Sequence, residues 1–160
     1  YGGGCIGLMG HLADSTLLAG GRVVGVIPRS LLQREVAHMG LTELIVTETM
    51  HERKAAMADR AQAFIALPGG FGTFDELFEI ITWAQLGIHS RPIGLLNTAG
   101  FFTPLLAWLE QSVVEQGFVK PKQAQELLKV EDSIESILNR LTVSRESHFP
   151  PSGQTVPDTR

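Results

Sequence analysis

An α/β fold built on a parallel sheet is what this sequence predicts, from two observations. Short runs rich in β-branched and aliphatic residues alternate with stretches of helical periodicity, the pattern of βαβ units. Each apolar run also ends in a turn residue or a polar cap, where a strand gives way to a loop.

Taken in order, a glycine turn at Gly2 to Gly4 leads into a helix over Ile6 to Ala19, and Arg22 to Ile27 reads as the first strand. A helix over Ser30 to His38 and a strand over Leu44 to Thr47 follow. Thr49-Met50-His51-Glu52 matches a capping box, so a helix is expected over Met50 to Gln62, with Glu52 serving the cap. Ala63 to Leu67 is a strand stopped by Pro68. A helix over Thr73 to Leu86, a strand over Pro92 to Leu96 and a helix over Thr103 to Gln116 come next. A short strand at Leu127 to Val130 and a helix over Asp132 to Leu141 complete a single domain over residues 1–143. From Ser144 to Arg160 the three prolines and scarce aliphatic residues read as a disordered tail. Because the chain opens with a tyrosine directly before its glycines, a preceding strand and helix are expected to be missing.

Composition narrows the function. With 160 residues and 44% hydrophobic content the chain can bury one core, and 19% charged residues exclude wholesale disorder. A net charge of −4 argues against nucleic acid or an anionic membrane as the main partner. One cysteine, Cys5, cannot form an internal disulfide, no Cys/His cluster has zinc spacing, and no metal is expected. No apolar run approaches the roughly 20 residues that span a bilayer, so a cytoplasmic location fits.

Three stretches carry the candidate chemistry, and in an open parallel sheet all three fall beyond the carboxyl ends of the strands, where ligands bind. In "PGGFGTFDE", Gly69, Gly70 and Gly72 permit positive φ and close approach of a ligand, and the helix that follows offers unpaired amides to an anion. Thr73 and Glu76 also match a capping box, and the two readings stand side by side. On a helical wheel Phe74, Leu77, Phe78, Ile81 and Ala84 form one apolar stripe, while Ile80 and Trp83 fall on another side with Glu76. A helix apolar on two faces suggests a subunit contact beside Glu76. In "MHERKAAM", Arg53 and Lys54 flank a stripe of Met50, Met57 and Ala61, so their cations either snorkel to water or grip a phosphate or carboxylate. "GGGCIG" satisfies G-x-G-x-x-G at Gly2, Gly4 and Gly7, but the next strand ends in Ile27-Pro28-Arg29 rather than a ribose-binding acid, although Arg29 suits a 2′-phosphate. The histidines at 11, 38, 51, 89 and 148 are scattered and read mostly as surface residues.

"MHERKAAM" followed by "PGGFGTFDE" resembles the Lonely Guy (LOG) family of cytokinin riboside 5'-monophosphate phosphoribohydrolases, whose hallmark is a P-G-G-x-G-T-x-x-E loop after an arginine-lysine helix. "YGGGCIGLMG", "GGRVVGVIP" and "RPIGLLN" are also similar to the family, and the likeness runs from about Tyr1 to Leu141. It implies a Rossmann-like three-layer αβα fold and hydrolysis of the N-glycosidic bond of a purine nucleoside 5'-monophosphate. It implies Arg53 and Glu76 as the catalytic pair. Substrate contacts are implied for Glu35, Arg53, Lys54, the run Gly70, Phe71, Gly72, Thr73, Phe74, Asp75 and Glu76, and Thr82. No cofactor is implied. A homodimer with the site near its interface, or a higher oligomer, is implied. Relatives that bind molybdenum cofactor supply the alternative of a non-catalytic nucleotide or cofactor carrier. The lysine decarboxylase label once given to some relatives finds no pyridoxal-phosphate lysine arrangement here.

Overall fold

The computed structural model describes residues 1–32 and 37–146. Strands and helices alternate along the chain, and every strand pairing is parallel, so the α/β, Rossmann-like reading holds. The chain divides into two compact units, Tyr1–Ala61 and Gln62–Arg160.

In the first unit, α1 (Gly7–Leu18) follows the glycine turn and leads to β1 (Val24–Pro28), which pairs with β2 (Glu43–Thr47) from Val24 opposite Glu43 to Pro28 opposite Thr47. The α2 helix (Met50–Arg60) packs on both strands. Parallel strands covered by helices bury their side chains along their length, and Val26, Ile27 and Pro28 are accordingly among the most buried residues. The other edge of β1 is met by Tyr1, whose nitrogen donates to the Val24 carbonyl (2.9 Å) and whose carbonyl accepts from the Val26 amide (2.8 Å), a parallel ladder step. Of the helix expected over Ser30 to His38, the described ends are not α-helical. A single 3₁₀ turn at Arg29–Leu31 follows β1, and Ala37 pairs instead with Gly4 in an antiparallel bridge. Residues 33–36, Glu35 among them, lie outside the described residues.

In the second unit the sheet order is β3-β4-β5, with β3 (Phe64–Ala66), β4 (Ile93–Leu96) and β5 (Leu128–Glu131). The α3 helix (Phe71–Gln85) links β3 to β4 and packs beside α5 (Pro121–Leu127), a helix absent from the sequence reading. The helix expected over Thr103 to Gln116 forms as α4 (Thr103–Leu109) and then widens into a π-helical turn at Glu110–Val114, where the Glu115 amide reaches back five residues to the Glu110 carbonyl (2.9 Å). The final helix, α6 (Ile134–Glu146), packs on β4 and β5 and carries Ile137 and Leu141 into a core with Leu96, Ala63 and Leu67. It reaches Glu146, so the first three residues of the expected tail continue the helix, as Arg145 and Glu146, good helix formers, allow. The rest of that tail lies outside the described residues. Among the described residues no helix is long and apolar enough to cross a membrane.

Candidate active site

The arginine-lysine helix begins as its sequence dictates. Thr49 Oγ1 accepts from the Glu52 amide (3.1 Å) while Glu52 Oε2 accepts from the Thr49 amide (3.3 Å), a reciprocal capping box that fixes the first turn of α2. Arg53 stands one residue further on and does not snorkel. It is buried, at 7% exposure, with Nε–H donating to the Val26 carbonyl (3.0 Å) and Nη1 to Met50 Sδ (3.2 Å). A guanidinium held by a backbone carbonyl at Nε has the orientation of its planar fork fixed. Lys54, beside it, is half-buried, and Met50, expected in the apolar stripe, is largely exposed.

The glycine turn packs against this arginine. A Cβ on Gly2 would collide with Nη2 of the buried Arg53, so a larger residue there would have to displace the guanidinium. Gly3 adopts φ +78° between Ile27 and Leu44, a conformation that favours glycine. Thus the turn and the start of α2 meet over the carboxyl half of β1. Arg29, weighed above for a 2′-phosphate, is taken up by Glu48, with Nη2 2.8 Å from Oε1 and Nε 3.1 Å from it.

The loop after β3 differs from expectation in three ways. Helix α3 starts at Phe71 with Gly70 as its cap residue and no side-chain capping bond, so Thr73 and Glu76 do not form the expected box. With proline and glycines immediately upstream, the chain can turn into the helix two residues earlier, and Thr73 falls inside the first turn. Second, Gly69, Gly70 and Gly72 do not take positive φ. Gly69 is required because a Cβ there would strike Thr73 Oγ1, whereas Gly70 and Gly72 face open space. Third, the Thr73 amide donates to the Gly70 carbonyl (3.0 Å). The amides that the helix geometry leaves without an intrahelical partner are therefore those of Phe71 and Gly72, over the open face, at the positive end of a 15-residue helix.

Behind this turn an aromatic cluster fixes α3. Phe74 stacks on Phe101 (centroids 6.5 Å, interplanar 9°) and meets Phe102 edge-on, and Phe102 is fully buried. Asn97 at the end of β4 holds that loop, its Oδ1 accepting from the Phe102 amide (2.7 Å) and its Nδ2 donating to Thr103 Oγ1 (3.1 Å). The Phe74 ring is thus committed to packing, Phe71 and Asp75 are exposed, and Glu76 is half-buried on the second turn. Thr82 is exposed, and its hydroxyl donates to the Phe78 carbonyl (2.7 Å). Six residues beyond Glu76 it lies about 9 Å along the helix and about 120° around it, so the two are not brought together. Ile80, placed on a second face, is buried, whereas Phe78, placed in the stripe, is partly exposed. The buried residues of α3 are Leu77 and Ile80.

Two histidines read as surface residues prove to be held at both ring nitrogens. Nδ1 of His38 accepts from the Gly40 amide (3.1 Å) while Nε2 faces Asp14 Oδ1 (2.8 Å). Nδ1 of His89 accepts from the Arg91 amide (3.1 Å) and Nε2 donates to the Ile80 carbonyl (3.0 Å). Burial pushes the His89 pKa below the ordinary range; the bond to Ile80 opposes this and the Arg91 charge adds to it. Sequence spacing offers no sign of these pairings, because both partners are backbone amides and carbonyls or distant residues.

A family model described as "Possible lysine decarboxylase" matches residues 9–141. Among curated relatives, cytokinin riboside 5'-monophosphate phosphoribohydrolase LOG5 of Arabidopsis thaliana is 51% identical over 123 residues, which cover 77% of this chain and 54% of that protein. The probable cytokinin riboside 5'-monophosphate phosphoribohydrolase LOGL2 of Oryza sativa subsp. japonica is 43% identical over 148 residues, 92% of this chain and 60% of that protein. The cytokinin riboside 5'-monophosphate phosphoribohydrolase of Rhodococcoides fascians is 50% identical over 133 residues, 82% of this chain and 67% of that protein. The chain spans between about half and two thirds of the length of these relatives. With the matched region containing the buried Arg53, the open Gly70 to Gly72 turn and Glu76, the chain belongs to the Lonely Guy family.

Proposed function

We propose that this protein hydrolyses the N-glycosidic bond of a cytokinin riboside 5'-monophosphate or a related adenine nucleotide, releasing free base and ribose 5-phosphate. The observation that carries the reading is the 43% to 52% identity to curated phosphoribohydrolases over a region that includes both motifs. The activity these relatives are named for favours an enzyme over a nucleotide or molybdenum-cofactor carrier.

The 5'-phosphate sits on the amides of Phe71 and Gly72, where the dipole of α3 and the bare Gly70 and Gly72 favour an anion. Arg53, fixed at Nε by Val26, is a planar forked cation of the kind that grips a phosphate or carboxylate, and with Lys54 beside it we give it the substrate-orienting role that the family resemblance implies. As the C1′–N9 bond breaks, its electron pair leaves with the base, which takes a proton. The sugar develops oxocarbenium character, and the Glu76 carboxylate stabilises that positive charge while it orients and deprotonates the attacking water. Water oxygen then bonds to C1′.

We further place the protein in the cytoplasm as a homodimer or higher oligomer. The exposed apolar residues Phe78, Leu86 and Ile88 on and just after α3 support a subunit contact there. Glu76→Gln, which removes the negative charge and keeps the shape, should reduce base release by at least about a hundredfold while nucleotide affinity stays within about threefold. Turnover near wild type in the variant would remove Glu76 from the mechanism.

A further inference from the structure

We infer that His38 is a positioning residue for the glycine turn and, through it, for Arg53. This inference rests on the reading of Arg53 as part of the hydrolase site. The ring is nearly buried, with its side chain 11% exposed, although the turn that carries it projects Met39 and Gly40 outward. A backbone N–H can only donate, so the Gly40 amide fixes Nδ1 as the acceptor, and the ring proton of neutral His38 is on Nε2, facing Asp14. The imidazole therefore links α1, through Asp14, to the turn at residues 38–40.

The main chain of the same segment holds the glycines. The His38 amide donates to the Gly3 carbonyl (2.9 Å), and Ala37 pairs with Gly4. Gly2, the next residue back, is the one that lies against Arg53 Nη2. The three-residue turn Gly2 to Gly4, held at Gly3 and Gly4 by this segment, thus ends against a guanidinium whose Nε is fixed by the Val26 carbonyl. Two main-chain links in a partly exposed loop are weak by themselves, so the ring's bond from the Gly40 amide, backed by Asp14, keeps the loop registered on the glycines. A shift of about 1 Å in a group that aligns substrate can cost up to a hundredfold in rate.

The two bonds can be separated. Asparagine at position 38 can accept from the amide two residues on, as Asx turns do, and so keeps the Gly40 link. Glutamine reaches Asp14 but cannot easily close that turn. Base release from isopentenyladenosine monophosphate and from AMP would be measured for the full-length protein and for His38→Ala, His38→Asn and His38→Gln, together with Arg53 Nε–H exchange by NMR. His38→Ala should lower kcat about tenfold with KM within about twofold, and His38→Asn should recover to within about threefold of wild type. Arg53 Nε–H exchange should quicken in His38→Ala and return in His38→Asn. Should the alanine variant fail to fold, His38→Asn near wild type with His38→Gln impaired supports the role, and the reverse order overturns it. Wild-type kcat in His38→Ala, or lost kcat with unchanged Arg53 exchange, also overturns it. Absence of base release from the wild type would instead sink the hydrolase reading, and the exchange measurements alone would then decide the role of His38.

Discussion

Arg53 shows how little room one side chain is given. Its charge is buried and its Nε donates to a main-chain carbonyl, so the position requires a planar, forked cation. Arg53→Lys keeps the charge and loses the fork. We expect turnover to fall at least about tenfold and unfolding stability by about 1 kcal/mol, read by base release and by urea denaturation. Unchanged values of both would mean that charge alone suffices. His89 gives a residue-level pH dependence. Because burial lowers its folded pKa, the fold favours the neutral ring; this stabilisation is complete above the unfolded histidine value of about 6.5 and is lost as pH falls through the lower folded value. Protonation at Nδ1 would also break the bond from the Arg91 amide. Thermal melts from pH 7.5 to 5 should show an acid loss that His89→Gln flattens, and an identical slope in the variant would assign the loss elsewhere.

The elements differ in how far they could be read from sequence. The capping box of α2 was legible because Thr49 and Glu52 follow a strand at the spacing the box requires, and Glu52 Oε2 accepts from the Glu48 amide (2.9 Å) as well as from that of Thr49. The same pattern at Thr73 and Glu76 misled, since Gly70 started the helix first. The α5 helix was missed although Pro121 stands at its first position, a favoured start; seven residues give too short a period to register. The segment after β1 read as a helix by its composition, yet at Ala37 it pairs with the glycine turn, a long-range contact that no local pattern announces. Close packing between elements is equally silent. A Cβ on Gly94 in β4 would meet Ile137 Cδ1 of α6 at 2.8 Å, so α6 lies on β4 only because that strand position is bare. Gly94→Val should destabilise by about 1 to 3 kcal/mol in denaturant titration, and a neutral result would mean that α6 shifts without cost.

Across the whole chain, the site's residue types were legible and their geometry was not. Residue patterns raise Arg53 and Lys54, as cations beside an apolar stripe, and the glycines before a helix, while the run from Gly70 to Glu76 as substrate contacts comes only from the resemblance to the family. The sequence does not disclose that Val26 holds Arg53 and Gly2 lies against it, nor that Gly70 and Gly72 face open space without taking positive φ. The central claim is that Glu76 carries the charge that stabilises the breaking glycosidic bond. The most direct measurement is the release of free base from isopentenyladenosine monophosphate by the full-length protein and its Glu76→Gln variant, with nucleotide binding followed by calorimetry. The account predicts release by the wild type, loss of at least about a hundredfold in the variant, and binding retained in both. Equal release by the two proteins would contradict it.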